Sequence, residues 1–435
     1  LHLLSRRQRQ MCIRDSYLRL YNCVIYKIQA LKYLALIIDM LFSFYFLFCY
    51  IRYKKKHHVS LLEKSVSLLF LIFWGSLIVG SYQGQNFLYA LKQLSMLYLI
   101  WGFYYYLRLY NIKVEFLFAL FRYMFIGYLL ITVICYILFP HFLFGMPSYD
   151  NAIKHMLSEA DNRGVMRFNL PCKMLIPFFI FFQISKLQMS IKDISNLLFL
   201  FVCLFLIGNR FPLAVTVLCS FLLCMTSKSL NLSQKVKLVV IFFVLGVLIY
   251  NIPFTRNIVN NMLEITSTQA EYGENDIRVI SATYFFTELN EGDIFKNIFG
   301  NGIYTHDLSP YGKLMDYAHE IGYWESDVGY AEIFVYFGLI GLIALLIWFI
   351  GVLTVRIPSE YFFLKIYLIF IIISMICGGY WFENIVEMAI ITYILVKLNS
   401  GYKADLIVLE IFRCKSRNIT CLLYTSDAAD DLIGV

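Results

Sequence analysis

Charge is what this sequence has least of. Only 15% of its 435 residues are Asp, Glu, Lys or Arg, where a soluble domain carries roughly a quarter. The apolar share is 60%, and it is spread along the whole chain. The short alternating segments that build a closed β-barrel are also missing; the apolar runs are continuous, which points to helices. No convincing internal repeat is present. The eleven cysteines show no metal-ligand spacing. Cys135, Cys203, Cys219, Cys224 and Cys377 lie in or beside apolar runs and read as small packing residues. The formal charge of +8 could point to nucleic acid, but the basic residues sit in short loops between apolar runs, as membrane orientation requires.

What is present are runs of Phe, Leu, Ile and Tyr long enough to cross a bilayer, for which about 20 apolar residues are needed. Candidate spans are 33–50, 66–82, 87–106, 116–139, 170–185, 194–207, 211–225, 236–252, 330–355, 361–377 and 382–398. The chain is therefore expected to be an all-α polytopic membrane protein with about eleven transmembrane helices. Alternating loops carry the cations: Arg52 with Lys54, Lys55 and Lys56, then Arg108 and Lys113, Lys186 and Lys192, Lys228, Lys235 and Lys237, Arg356, and Lys397 and Lys403. Short basic loops face the cytoplasm. The other set, 83–86, 140–169, 209–210, 253–329 and 378–381, is expected to face outward.

Two terminal stretches differ in style from the rest. Residues 6–15 read RRQRQMCIRD and residues 421–431 read CLLYTSDAADD. They resemble the translated two strands of a transposase adapter used in sequencing libraries. Segments 1–16 and 421–435 are therefore set aside from fold reasoning, which leaves one transmembrane domain over 17–420. The orientation places the visible N-terminus outside, so a further helix upstream, a twelfth, is expected.

One outward loop dominates, 253–329, and it is not of low complexity. Long loops in compact proteins are usually functional or disordered. Asp276 is placed to cap a helix over 277–289 with Ile277, Ile280, Tyr284 and Phe285 on an apolar stripe. Residues 290–293 read as a turn. Phe295, Ile298 and Phe299 suit a second short helix, stopped by Gly300 and Gly302.

The outward side gathers cations: Arg163, Arg167, Arg210, Arg256 and Arg278. Arginine forks bind phosphate bidentately, and an Arg as deep as Arg210 is costly unless paired or facing a wet cavity. Lipid headgroups or nearby carboxylates are the plainer partners. The large loop ends in a polar run of His306, Asp307, Asp316, His319, Glu320, Glu325 and Asp327, with Tyr323 and Trp324. His and carboxylates supply general bases, and aromatics supply flat faces for sugars; an ordinary solvated loop is the plainer reading. The spacing of His306 and His319 matches no tight metal motif. Glu383 and Glu387 stand i, i+4 apart on one helix face in an apolar run, where a carboxylate is a functional candidate by default. Glu383, near the outer end, is placed to answer an outward arginine, a structural ion pair being the plainer reading, and Lys173 just inside the fifth span likewise reads as a structural partner.

Several of these residues resemble the O-antigen polymerase and O-antigen ligase superfamily. Ser326-Asp327-Val328-Gly329-Tyr330-Ala331-Glu332, leading into Tyr336-Phe337-Gly338-Leu339-Ile340-Gly341, is similar to that family's exit from its large periplasmic loop. Ile298-Phe299-Gly300-Asn301-Gly302 resembles its segment before that exit. Arg278 matches its loop arginine, Gly208-Asn209-Arg210 its turn between central spans, and residues 163–169 its arginine-containing approach to the fifth span. The resemblance covers 162–341. It implies a bundle of about a dozen helices in a bacterial inner membrane, with the large loop periplasmic. It also implies a metal-independent glycosyltransferase without cofactor that takes glycans on undecaprenyl diphosphate. The ligase branch carries a His-Asn pair near the loop exit where this chain has Ser326-Asp327, which favours a polymerase of O-antigen, capsule or exopolysaccharide repeats. In that reading Arg210 and Arg278, with Arg163 or Arg167, hold the diphosphate. His319, or else Asp327 or Glu325, takes the acceptor's proton. Membrane lipid, the lipid-linked oligosaccharide and a chain-length regulator are the expected partners, and nucleic acid is not. A ligase of the same superfamily and a lipid-linked oligosaccharide flippase are the alternatives; a flippase would need repeats and broken helices at mid-membrane.

Overall fold

The computed structural model describes residues 29–54, 60–138, 170, 172–188, 190–226, 231–251, 253–305 and 308–399. Among the described residues every regular element is helical. In chain order these are α1 (Gln29–Lys54), α2 (Leu61–Tyr82), α3 (Phe87–Tyr110), α4 (Val114–Leu138), α5 (Leu175–Ser185), α6 (Ile191–Leu206), α7 (Arg210–Thr226) and α8 (Leu232–Tyr250). They continue with α9 (Pro253–Tyr272), α10 (Ile277–Thr283), α11 (Ile294–Phe299), α12 (Pro310–Ile321), α13 (Gly329–Thr354), α14 (Phe362–Ser374), α15 (Tyr380–Glu383) and α16 (385–399). Four segments among the described residues are long and apolar enough to cross a membrane: α2, α4, α13, and α14 with its flanking turns, Ser359–Cys377. Helix α5 is apolar but shorter. The expected span 170–185 becomes helical only at Leu175, because Cys172 adopts a left-handed φ of 64° in the turn before it.

Packing is dense along α2, α3 and α13, and along α5, α7 and α14. Trp348, Trp381, Tyr104 and Tyr367 are among the largest fully buried side chains. At one end of the bundle, Ser60 and Glu63 form a reciprocal capping box that starts α2. Glu63 Oε1 also meets Arg108 of α3 at 2.7 Å and accepts from the hydroxyls of Tyr53 and Tyr104 at 2.7 and 3.2 Å. At the same end, Lys365 Nζ donates to the carbonyls of Leu353 and Val355 where α13 stops.

The opposite end carries the long connection between α8 and α13. Much of it follows sequence chemistry. Asp276 Oδ1 accepts from the backbone N–H of Arg278 at 2.9 Å and starts α10. The expected single helix over 277–289 changes into a π-helical turn at Tyr284–Glu288. Residues 290–293 form a turn, Asp293 caps α11, and Gly300 ends it with φ 77°. Two helices were not foreseen. The twenty-residue α9 opens with Pro253, a residue suited to a first helical turn. Helix α12 is framed by the Ser309 cap and by Gly322 in the left-handed region.

The connection is fastened to the bundle at a break in α13. Gly338 has φ 63° and ψ −161° inside an otherwise helical run. Such a break withdraws the i+4 donors from the carbonyls just before it. Those carbonyls find replacements in the buried strip after α11: Asn301 N–H donates to Val335 O at 2.9 Å, and Gly302 N–H to Tyr336 O at 3.1 Å. Asn301 Nδ2 adds a bond to Val335 O at 3.2 Å. On the other flank, Gln85 donates to Asn301 O at 3.0 Å and accepts from Thr305 Oγ1 at 3.0 Å. The strip 300–305 is therefore wedged between α2 and α13 with every residue buried.

A Cβ on Gly338 would collide with Ile298 O and stand 2.5 Å from Gly300 N. Gly338→Ala is expected to destabilise the protein by about 2–5 kcal/mol, combining left-handed strain with overpacking. A lower melting temperature in detergent, with early proteolytic cleavage between Ile294 and Thr305, would confirm this; an unchanged melt with a protected strip would refute it.

Candidate functional site

The polar residues at the loop end of the bundle divide into three groups around two chain reversals. The first reversal is Gly322–Val328, between α12 and α13. His319 lies in the last turn of α12, Glu325 in the 3-10 turn Glu325–Asp327, and Tyr336 two turns into α13. His319 Nε2 stands 2.6 Å from Glu325 Oε2, and the Tyr336 hydroxyl donates to Glu325 Oε1 at 2.8 Å. The imidazole stacks on Trp324, with ring centroids 4.1 Å apart and planes 8° from parallel. Tyr304 presents its edge to His319, and its hydroxyl donates to Asp316. His319 is 3% exposed and Glu325 5%, so two of the expected proton acceptors are engaged with each other beneath the surface. His319 Nδ1 is buried with no partner among the described residues. Asp327 lies half-exposed in the same turn.

Burial alone would raise the Glu325 pKa. The charge of His319 and the hydrogen bonds from His319 and Tyr336 outweigh it and hold the carboxyl below the ordinary carboxylate range.

The second group surrounds the other reversal, from Met375 to Tyr380. Arg210, Arg278 and Asp276 all act electrostatically on Cys377 in that turn, so the two arginines singled out in the sequence are brought to one place. Arg210 spans to α9, donating to Thr266 Oγ1 at 2.7 Å, Gln269 Oε1 at 2.9 Å and Met262 O at 3.4 Å. Arg278 differs. It is half-buried, and among the described residues its guanidinium makes no hydrogen bond or ion pair. Arg163, Arg167, His306 and Asp307 lie outside the described residues.

The third group is acidic. Glu383 pairs with Lys173 at 2.8 Å, so its cation comes from the turn before α5 and not from an arginine. Glu383 and Glu387 do not share a face of one continuous helix, because the helix breaks at Asn384, whose Nδ2 donates to Tyr380 O at 2.7 Å. Glu387 lies deeper, at 2% exposure, beside Cys172. Sequence reasoning missed Glu332 as a site residue. It is 5% exposed in the first turn of α13, and its Oε2 is sealed without a hydrogen-bond partner. The carboxylate points at the second reversal: a Cβ on Gly379 would sit 2.5 Å from Oε2. Its electrostatic neighbours are Glu325 and Glu383. The available signal was an acidic residue just inside an apolar run, the same signal that drew attention to Glu383 and Glu387.

Chemically, the loop end offers a cation and a buried carboxylate, each without a partner among the described residues, and a second arginine that acts on the same turn as the first. No group of three His, Cys, Asp or Glu converges as a metal site among the described residues.

The depressed pKa of Glu325 fixes a sign. A carboxylate whose folded pKa lies below its unfolded value adds stability that is complete above the unfolded value and fades as pH falls through the folded one. Docking of 310–328 is expected to persist at neutral pH and to loosen only when the medium becomes more acid than the ordinary carboxylate range. Glu325→Gln should lower stability at neutral pH by about 3–5 kcal/mol, as one partner of a buried pair is lost, and should remove the acid limb. Limited proteolysis across pH measures both, and an identical acid profile in the variant would refute the assignment.

Comparison of the chain with family models, with curated proteins and with solved structures finds no match to any of them.

Proposed function

We propose that this protein is a polymerase of O-antigen, capsule or exopolysaccharide repeat units that transfers a glycan from undecaprenyl diphosphate to a lipid-linked acceptor. The observation that carries the reading is Arg278: a half-buried guanidinium with no protein partner among the described residues, gathered with Arg210 at one turn. A guanidinium withdrawn from solvent and left unpaired is poised for an anion, and its planar fork suits phosphate. With Arg210 beside it, a second guanidinium helps to offset charge developing on a diphosphate leaving group, most effectively where water is excluded. Arg163 or Arg167 would complete the clamp.

The frame of the proposal is a bacterial inner-membrane protein with about eleven crossings. Its basic connections face the cytoplasm and the 253–329 connection faces the periplasm. In that frame the arginine pair lies at the outer surface, where a lipid-linked diphosphate presents its headgroup. Direct displacement at the sugar carbon inverts its configuration. The donor is already activated, so the scheme calls on no nucleotide, and a chain-length regulator is the expected protein partner. His319 and Glu325 serve docking of the loop in this scheme, because each occupies the other. Ser326-Asp327 at the loop exit favours polymerase over ligase.

Arg278→Ala and Arg210→Ala should each cut polymer synthesis by about 10²–10³-fold, the usual cost of removing one preorganised group that stabilises transition-state charge. Long-chain polysaccharide should vanish from gels of the host's envelope while protein level and single lipid-linked repeats persist. Long chains surviving both substitutions would end the diphosphate-clamp reading.

A further inference from the structure

A base for the acceptor hydroxyl must be free to accept a proton and must lie beside the diphosphate clamp. His319 and Glu325 fail the first condition, being closed on each other and on Tyr336. Glu383 is held by Lys173, and Glu387 sits deeper in the bundle. Glu332 meets both. No hydrogen bond or ion pair reaches its carboxylate among the described residues. It packs against Gly379, two residues from Cys377, the residue on which Arg210 and Arg278 act. Its cover is thin: Ser326 and Gly379, the groups beside it, are both half-exposed.

A carboxylate in such a position has no structural reward. A buried carboxyl without a partner costs free energy whether charged or neutral, because nothing replaces the hydrogen bonds it makes in water. An acid at this place is therefore accounted for by proton chemistry and not by the fold.

We propose that Glu332 is a catalytic residue, the proton acceptor for the attacking hydroxyl of the acceptor sugar. The inference rests on the polymerase reading. The acceptor oxygen forms a bond to the anomeric carbon of the donor glycan while its proton passes to a Glu332 oxygen. The bond from that carbon to the diphosphate oxygen breaks, and its electron pair leaves with undecaprenyl diphosphate, held by Arg278 and Arg210. Glu332 then returns the proton to water. The second reversal thus carries the base on one side and the leaving-group clamp on the other.

The test uses the full chain in its host strain, with the host's own lipid-linked repeats as substrate. Glu332→Gln keeps size and shape, and it should lower polymer formation by about 10²–10⁴-fold, the range for a lost general base. Single lipid-linked repeats should accumulate, and the purified variant should melt at the wild-type temperature or above it. Glu332→Asp, which keeps the acid one methylene further back, should restore part of the activity. A lower melting temperature or a loss of protein in Glu332→Gln would overturn the proposal, since the carboxylate would then be structural. Wild-type chain lengths in Glu332→Gln would also overturn it. If Arg278→Ala and Arg210→Ala abolish long chains in the same experiment, the polymerase reading survives that failure; if they too make long chains, the reading falls with it.

Discussion

The loop end of this protein depends on two backbone carbonyls. In an apolar setting each main-chain polar group must find a partner inside the protein, because lipid supplies none. Helix α13 violates its own ladder at Gly338, and the carbonyls of Val335 and Tyr336 are taken up by Asn301 and Gly302. That exchange ties a segment some 35 residues upstream in the chain to the middle of α13. It fixes where the connection can begin its return, and so where α12, the 3-10 turn and the start of α13 must lie. His319, Glu325, Glu332 and Tyr336 are all positioned by this one repair.

The two ends of the bundle solve the problem of buried charge in opposite ways. At one end Glu63 is saturated: a reciprocal cap, an arginine and two tyrosine hydroxyls share its oxygens. At the other, Glu332 has a sealed oxygen and no partner, and Arg278 makes no hydrogen bond or ion pair among the described residues. Full satisfaction is what a structural polar group requires. The contrast marks Glu332 and Arg278 as charged groups at the loop end that the described residues leave without a partner.

The helical class was legible because runs of Phe, Leu and Ile without alternation leave no other solution for an apolar backbone. Caps were legible too. Asp276 and Gly300 act through contacts within one turn, so local sequence determines them. The break at Gly338 was not legible. A glycine in Tyr336-Phe337-Gly338-Leu339 is compatible with a continuous helix, and its left-handed φ follows only from the approach of Ile298 and Gly300. The stop at Asn384 is of the same kind, and it separated Glu383 from Glu387 although their spacing fits one helix face. The candidate site was half legible. Arg210 was marked by a charge in a costly place and Arg278 by its match to the family's loop arginine, but their convergence on Cys377 is long-range. Glu332 lay within the motif that carried the family resemblance, and a carboxylate inside an apolar motif is easily absorbed into the motif.

The Glu63–Arg108 pair has a consequence for how the first helices come together. The two residues belong to consecutive helices, α2 and α3, joined by a short turn at 83–86. Both stand at helix ends, Glu63 in the first turn of α2 and Arg108 in the last turn of α3, and the tyrosines that complete the cluster come from α1 and α3. The cluster is therefore complete only when α1, α2 and α3 lie side by side. One pair of charges thus locks three consecutive helices to one another at their ends.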